Sequence, residues 1–129
     1  ALDQDTDAAT DRLCQAATHP SVDVIGHPTG RLLNSRAGLS VDMTRLAETA
    51  AAADTALEIN ANPARLDLAG EAARAVVEAG GTVAINTDAH SPAEFDNRRY
   101  GVKTARRGWA EPADVLNAKT SAALRAFLH

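Results

Sequence analysis

Three short runs of hydrophobic and β-branched residues alternate along the chain with longer stretches rich in alanine. The short runs have the length and composition of buried strands, and the longer stretches space their apolar residues as an amphipathic helix does. This alternation predicts helices at residues 6–17, 39–54 and 68–79 and strands at residues 22–26, 56–60 and 82–86. Ser40 is the expected N-cap of the second helix, and Gly80 should end the third.

The last third of the chain is predicted to continue this pattern less regularly. Residues 100–102 are interpreted as a short fourth strand, and helices are expected at residues 112–117, where Pro112 suits a first turn, and at 120–128. Strands that alternate with helices imply parallel pairing through right-handed crossovers. The sequence therefore predicts an α/β fold. Periodicity leaves open whether the sheet is doubly wound or a slice of a β/α barrel.

Composition bounds the core and the surroundings of the chain. Hydrophobic residues make up 45% of the 129 residues and aromatic residues only 3%, so Ala, Val, Leu and Ile must build the core. Cys14, the single cysteine, excludes an internal disulfide and is interpreted as a small core residue. No run approaches the roughly 20 apolar residues that span a bilayer, and the acidic N-terminus lacks a signal-peptide pattern. We therefore expect no membrane partner and a cytoplasmic location.

Charge argues against one class of nucleic-acid binder. A net charge of −4 gives the chain no overall positive field that would attract a polyanion. Trp109 is interpreted as a packing residue rather than one that stacks on bases. Five cations nevertheless cluster just before it, as either a local DNA-contacting patch or a solvated face: Arg98, Arg99, Lys103, Arg106 and Arg107.

Polar residues gather directly after each of the three predicted strands. The first strand runs into G-H-P-T-G-R at positions 26–31, the second ends in E-I-N at 58–60, and the third in N-T-D-A-H at 86–90. Because the carboxyl ends of parallel strands meet at one rim of the fold, functional loops collect there. The sequence therefore predicts one site built from these three segments.

Candidate functional residues in this site each have an ordinary alternative. Asp88 and His90 form a D-x-H pair, whose alternate residues can meet one cation at the mouth of a strand. The alternative is a capping carboxylate beside a surface histidine. His27 is interpreted as a further ligand or as a hydrogen-bonded structural histidine. Arg31 can hold a phosphate with two parallel hydrogen bonds or form a surface salt bridge.

Taken together and in order, these motifs resemble the polymerase and histidinol phosphatase (PHP) family, and most of all the PHP domain attached to bacterial family X DNA polymerases. The likeness runs over nearly the whole chain in one register. Its two most specific parts are G-H-P-T-G-R at 26–31 and E-I-N-A at 58–61 with R-L-D-L at 65–68. The others are T-D-A-H-S at 87–91, Y-G-V at 100–102, A-R-R-G-W at 105–109 and D-V-L-N at 114–117.

The resemblance implies a distorted (β/α)7 barrel with a trinuclear metal site, of which residues 1–129 are the C-terminal portion. His27, Asp88 and His90 map onto family ligands for divalent Mn, Zn or Fe ions, and Arg31 and Arg65 would neutralise phosphate charge. The family's other ligands, among them an H-x-H pair, have no match in this chain. We therefore expect the upstream half of the domain to be a partner, and these residues alone to be inactive and to self-associate through two open sheet edges.

For function, the resemblance implies a metal-dependent phosphoesterase that acts on DNA ends, as a 3′→5′ exonuclease or a 3′-end phosphatase within a family X polymerase. One alternative is a non-catalytic PHP module that stabilises a polymerase. Another is a phosphatase for a small molecule such as histidinol phosphate, although the R-L-D-L and A-R-R-G-W segments favour the polymerase-associated branch. An amidohydrolase-type barrel shares the metal chemistry but would not need the G-H-P-T-G-R loop.

Overall fold

A computed structural model of the chain describes residues 2–129, and the side chains of residues 5–129. Three short strands and five α-helices make up the described residues, with 3₁₀ segments of three to six residues in the last third. The strands are β1 (Val24–Ile25), β2 (Ala56–Asn60) and β3 (Val83–Asn86). The helices are α1 (Leu2–Thr18), α2 (Met43–Ala52), α3 (Gly70–Glu78), α4 (Arg98–Arg107) and α5 (Ser121–Phe127). The 3₁₀ segments are Pro92–Asn97, Pro112–Asp114 and Leu116–Ala118.

The three strands form one parallel sheet in the order β1-β2-β3. Val24 lies opposite Ala56, and Leu57 opposite Val83, so the carboxyl ends of all three strands lie at the same rim. The α/β prediction with parallel strands is therefore confirmed. Three strands do not close a barrel within residues 2–129, and the complete barrel stays a prediction.

The core lies between the sheet and the helices that pack against it. Its largest fully buried side chains come from α2, the strands, the loop after β2 and α3: Leu46, Leu57, Ile59, Leu68, Val76 and Val83. Alanines of α1, α2 and α3 fill the remaining space, as the low aromatic content requires. Cys14 is buried among them, which confirms its interpretation as a small core residue.

The predicted strand at residues 100–102 is wrong, because these residues lie inside α4. The buried positions of this segment are Gly101, Thr104, Ala105 and Gly108, which have the spacing of a helix face rather than of a strand. A Cβ atom on Gly101 would lie 2.5 Å from Cγ2 of Ile85 and 3.0 Å from Cβ of Ala61. Glycine therefore allows α4 to pack closely on the ends of β2 and β3.

Two other predicted boundaries also change. The first strand is only Val24–Ile25, because the N–H of Val22 donates to His19 in the preceding turn. The second helix begins at Met43 rather than near Leu39, with Asp42 as its N-cap in place of Ser40. The Asp42 side chain accepts from the N–H of Arg45, whereas the Ser40 hydroxyl accepts from Thr6 in α1.

The outer edge of β3 is covered by the segment that was predicted as the helix at 112–117. Between its two 3₁₀ turns, Val115 is extended and forms a parallel bridge with Val83. The Asn117 amide then pairs with both backbone groups of Ile85, accepting from its N–H at 2.7 Å and donating to its C=O at 2.8 Å. The expectation of two open sheet edges is therefore wrong at β3. Within residues 2–129, β1 pairs on its other side with no strand.

The predicted end of the third helix and start of the last helix are confirmed. Thr120 caps α5 by accepting from the N–H of Ala123, close to the predicted start of the last helix. Gly80 follows the end of α3 with a φ of 75°, the left-handed conformation that glycine adopts readily. None of the described helices combines the length and apolar character that a membrane crossing requires.

Candidate functional site

The Glu58 carboxylate joins the ends of all three strands. Its Oε1 atom accepts a hydrogen bond from the backbone N–H of His27 at 2.9 Å, just after β1. Its Oε2 atom accepts from the side-chain amide of Asn86 at 2.8 Å, at the end of β3. Glu58 itself lies on the central strand, so one side chain sets the relative positions of the three loops that carry the predicted ligands.

Asn60 extends this network to Asp88. Its Nδ2 atom donates to Oε1 of Glu58 at 3.2 Å and to Oδ2 of Asp88 at 3.3 Å. Glu58 and Asn60 are alternate residues of one strand, and their side chains therefore leave it in the same direction. Asn60 is fully buried, whereas Asp88 is exposed, so the network runs from the core to the open rim.

His90 is oriented by two contacts within its own loop. Its Nδ1 atom lies 2.8 Å from the backbone carbonyl oxygen of Asp88, and its N–H donates to the Glu94 carboxylate. A carbonyl can only accept, so the neutral imidazole carries its proton on Nδ1 and keeps the lone pair on Nε2. A backbone carbonyl that fixes the tautomer in this way is typical of metal-ligating histidines. His90 is also exposed at the rim.

Two of the three predicted ligands have an unusual backbone conformation. His27 has a φ of 25° and Asp88 a φ of 53°, both in the left-handed region that residues with a Cβ atom rarely adopt. Each lies two residues beyond the end of a strand. Strain of this kind persists only where the surrounding contacts hold it, and it concentrates at functional loops. Glu58 and Asn60 supply those contacts here.

The buried side chain of Asp67 holds the loop that follows His27. The Oδ2 atom of this fully buried carboxylate accepts from the N–H of Thr29 at 3.0 Å and from the N–H of Gly30 at 2.9 Å. Asp67 is only 1% exposed. Its Oδ1 atom and the hydroxyl of Thr29 are both buried without a hydrogen-bond partner among the described residues. One acidic side chain from the segment after β2 therefore holds two consecutive backbone N–H groups of this loop.

Arg31 and Arg65 fasten the same two loops from the outside. Nε of Arg31 donates to the carbonyl of Arg65 at 2.8 Å, and Nη2 donates to the carbonyl of Leu66. In return, Nη1 of Arg65 donates to the carbonyl of Arg31 at 3.2 Å. Both side chains are half-buried. Neither arginine forms a salt bridge within the described part of the chain, so the surface ion pair weighed for Arg31 is not what the structure shows.

The rim offers donors that suit a metal ion but not a complete set. Imidazole nitrogen and carboxylate oxygen are the donors that Mn, Zn and Fe take in proteins. His27, Asp88 and His90 supply these atom types at one rim, and the fixed tautomer of His90 fits the role. Among residues 5–129, whose side chains the structure describes, however, no three His, Cys, Asp or Glu side chains lie close enough together to hold an ion. Ligation by these three residues therefore stays a prediction.

The chain is similar in sequence to a known protein over most of its length. No protein-family model matches the chain. The chain is similar to the DNA polymerase/3'-5' exonuclease PolX of Bacillus subtilis (strain 168). The two sequences are 50% identical over 117 residues, which is 91% of this chain. The chain spans only 20% of the length of the Bacillus protein, so the likeness concerns one segment of it.

The sequence placed Glu58, Asn60 and Asn86 at the rim without indicating a role for them, and Asp67 stood in the R-L-D-L segment without a role. The E-I-N spacing at the end of a buried strand was the available signal, since alternate polar residues there face one side. Asp67 had no such signal. Its partners Thr29 and Gly30 lie 38 and 37 residues earlier, and only the folded chain brings them together.

Proposed function

We propose that this chain is a segment of a metal-dependent phosphoesterase that acts on the 3′ ends of DNA, within a longer protein of the family X polymerase type. The observation that carries the proposal is the 50% identity, over nearly the whole chain, to a protein named as a DNA polymerase and 3'-5' exonuclease. The rim built around Glu58 supports it, because the polar segments that follow the three strands meet at one place in the fold.

In this proposal His27, Asp88 and His90 hold part of the metal site, and a segment outside these 129 residues supplies the remaining ligands. A bound divalent ion would polarise a phosphoryl oxygen and lower the pKa of a bound water toward neutrality. Glu58 and Asn60 act as positioning residues, because they hold the loops of His27 and Asp88 in place. His90 presents Nε2 because its other ring nitrogen is engaged by the carbonyl of Asp88.

Arg31 and Arg65 have a double role in this proposal. Their contacts with backbone carbonyls hold the two loops together and use Nε and Nη2 of Arg31 and Nη1 of Arg65. The remaining guanidinium N–H groups stay available for a phosphate oxygen of the substrate. Each arginine therefore contributes both to loop position and to charge at the site.

A non-catalytic role is the second candidate, since the described residues do not bring three metal donors together. A chimera separates the two. The matching 117-residue segment of the Bacillus protein is replaced by that of this chain, and nucleotide release from 3′-end-labelled DNA is measured with Mn²⁺ and with EDTA. We expect metal-dependent release by the chimera and none by the isolated chain. Hydrolysis of p-nitrophenyl phosphate in parallel tests the small-molecule phosphatase.

Matched variants make the result specific. Asp88→Asn should reduce release by the chimera at least tenfold, whereas Asp7→Asn, which changes an exposed carboxylate on α1, should leave it unchanged. Circular dichroism establishes that each variant is folded. A folded chimera that polymerises DNA but releases no nucleotide, beside a Bacillus protein that does, would establish the non-catalytic role instead.

A further inference from the structure

We infer that the exposed face of α4 binds the backbone of single-stranded DNA and leads it to the rim that carries His90. The identity of the polymer as DNA rests on the proposed function. The preference for a polyanion rests on the charge of this face, and the preference for a single strand on the aromatic residues at its two ends.

The cations of α4 lie along one side of the helix. Arg98 and Arg106 are separated by two turns, with Val102 between them, and Arg99 and Lys103 form the neighbouring row. Together they line an open groove of about 570 Å³ whose residues are Asp96, Arg98, Arg99, Val102, Lys103 and Arg106. The ten residues of α4 extend this face over about 15 Å, enough for several nucleotides.

Internal partners compensate little of this charge. Arg98 lies 3.5 Å from the Asp96 carboxylate, but both side chains are at least 70% exposed, so this ion pair is weak. Arg99 donates to the hydroxyl of Tyr100. Lys103 and Arg106 form no salt bridge within the described residues. On a chain of net charge −4, this is a concentrated positive surface.

Helix stability accounts for only part of this arrangement, since Arg106 and Arg107 in the last turn suit the helix dipole. Arg99 and Lys103 are like charges one turn apart, as are Lys103 and Arg107, and such pairs destabilise a helix. Arg98 and Arg99 occupy the first turn, where the helix dipole disfavours positive charge, and α4 contains no acidic residue. A face kept only for solubility would mix both signs. The electrostatic cost is explained if the face meets a phosphate backbone.

The position of α4 connects this face to the rim. The 3₁₀ segment Pro92–Asn97 joins His90 to α4, and its Glu94 carboxylate accepts from the N–H of His90 and from the hydroxyl of Ser91. Gly101 then seats the helix against Ile85 and Ala61 at the ends of β3 and β2. The basic groove therefore begins beside the loop that carries His90.

Exposed aromatic rings lie at both ends of α4. Phe95 precedes the helix and is 61% exposed, and Trp109 follows it and is 66% exposed. Trp109 is thus not a core residue, and its packing partner is the Arg74 guanidinium, 3.6 Å from the ring centre. A basic groove with accessible rings is typical of proteins that bind single strands, because unpaired bases can stack on the rings.

The test is binding of a fluorescein-labelled 20-nucleotide single-stranded DNA to the full 129-residue chain in EDTA, followed by anisotropy over a range of salt concentrations. Lys103→Gln with Arg106→Gln should weaken binding about tenfold at low salt. It should also lower the salt slope by about 1.4, since each phosphate contact contributes about 0.7 for a single strand. Arg12→Gln with Arg125→Gln removes the same charge from exposed positions of α1 and α5 and should change neither quantity.

Further variants and substrates test the remaining parts. Phe95→Ala should weaken single-strand binding a few-fold, and a 20-base-pair duplex should bind at least tenfold less tightly than the single strand. Equal binding of the duplex, or equal losses for the α4 pair and the control pair, would overturn the inference. The same α4 pair in the chimera should raise the KM for 3′-labelled DNA with little change in kcat.

These readouts separate the inference from the proposed function. Binding in EDTA that depends on Lys103 and Arg106, with no nuclease activity in the chimera, would leave the DNA-binding face intact and remove the catalytic proposal. Nuclease activity in the chimera with unchanged KM in the α4 variant would do the reverse.

Discussion

Two groups of arginines in this chain have opposite surroundings. Arg31 and Arg65, after β1 and β2, donate to the backbone carbonyls of each other's loops. The cations of α4 face solvent, and the one ion pair described among them is weak. The sequence left the role of both groups open, for Arg31 between a phosphate contact and a surface salt bridge, and for the cations of α4 between a DNA-contacting patch and a solvated face. The difference teaches that the arginines with internal partners stabilise the fold in addition to any contact with a ligand, whereas the cations of α4 add little to the fold.

The largest effect on stability should come from removing the Asp67 carboxylate, which binds the loop that carries Arg31. Asp67→Ala removes two charge-assisted hydrogen bonds, the one from the N–H of Thr29 and one of the two that the N–H of Gly30 donates, and should lower the free energy of unfolding by about 2–4 kcal/mol. Urea unfolding followed by circular dichroism measures it. Asp67→Asn keeps an acceptor and should lose less than half as much. A loss below about 0.5 kcal/mol for the alanine variant would show that the loop is not held in this way.

Arg31→Ala tests most directly whether the two groups of cations differ in their contribution to stability. Loss of its two charge-assisted hydrogen bonds should cost about 1.5–3 kcal/mol, and Arg31→Lys should recover only part, since an ammonium cannot match both carbonyls. Arg106→Ala serves as the matched control and should change stability by less than about 0.5 kcal/mol. In the chimera, nuclease turnover per folded molecule then decides whether Arg31 also contacts the phosphate. Equal stability of the two variants would remove the distinction between the groups.

Asn117 distinguishes the effect of solvent exposure from the effect of internal hydrogen-bond partners. Its side chain is exposed, yet it pairs with both backbone groups of Ile85. If internal partners decide the contribution to stability, Asn117→Ala should cost about 1 kcal/mol in urea unfolding despite the exposure of this residue. Asn62→Ala, which also loses side-chain contacts but at a turn away from the sheet edge, is the comparison variant. No loss at Asn117 would mean that the cover of β3 contributes little.

The smallest effect is expected for the cations at the start of α4. Arg98→Gln and Arg99→Gln remove positive charge from the first turn, where the helix dipole opposes it. Stability should stay unchanged or rise by about 0.3 kcal/mol, while DNA binding weakens. Thermal unfolding at low salt detects the change, and the same pair measured in high salt should show less of it. A clear loss of stability would place these arginines with Arg31.

The sequence predicted the sheet and the rim better than the contacts that hold them. Apolar runs marked β2 and β3 because buried parallel strands are nearly continuous in hydrophobicity. The rim residues could be named because the carboxyl ends of such strands meet. In contrast, Tyr100 and Val102 have the composition of a strand, and this predicted the wrong element. The buried residues Gly101, Thr104 and Ala105 have the spacing of a helix face. Local composition misled where tertiary packing decided.

Contacts between residues distant in sequence could not be predicted, because they too depend on tertiary packing. The sequence predicts a helix over residues 112–117, whereas the role of Asn117 at the edge of β3 depends on a residue 32 positions away. The contacts of Arg31 with the segment at Arg65 are 34 and 35 residues distant in sequence. A motif indicates which residues meet at a rim, but it does not show which of their atoms are already engaged.

The most direct test of the central claim, that His27, Asp88 and His90 hold metal at this rim, is the metal content of the chimera. The chimera is loaded with Mn²⁺, freed of excess ion and analysed for bound metal per protein molecule. We predict that His27→Ala, Asp88→Asn and His90→Gln each lower the metal content by at least one ion, whereas Asp7→Asn leaves it unchanged. Unchanged metal content in all three folded variants would contradict the account.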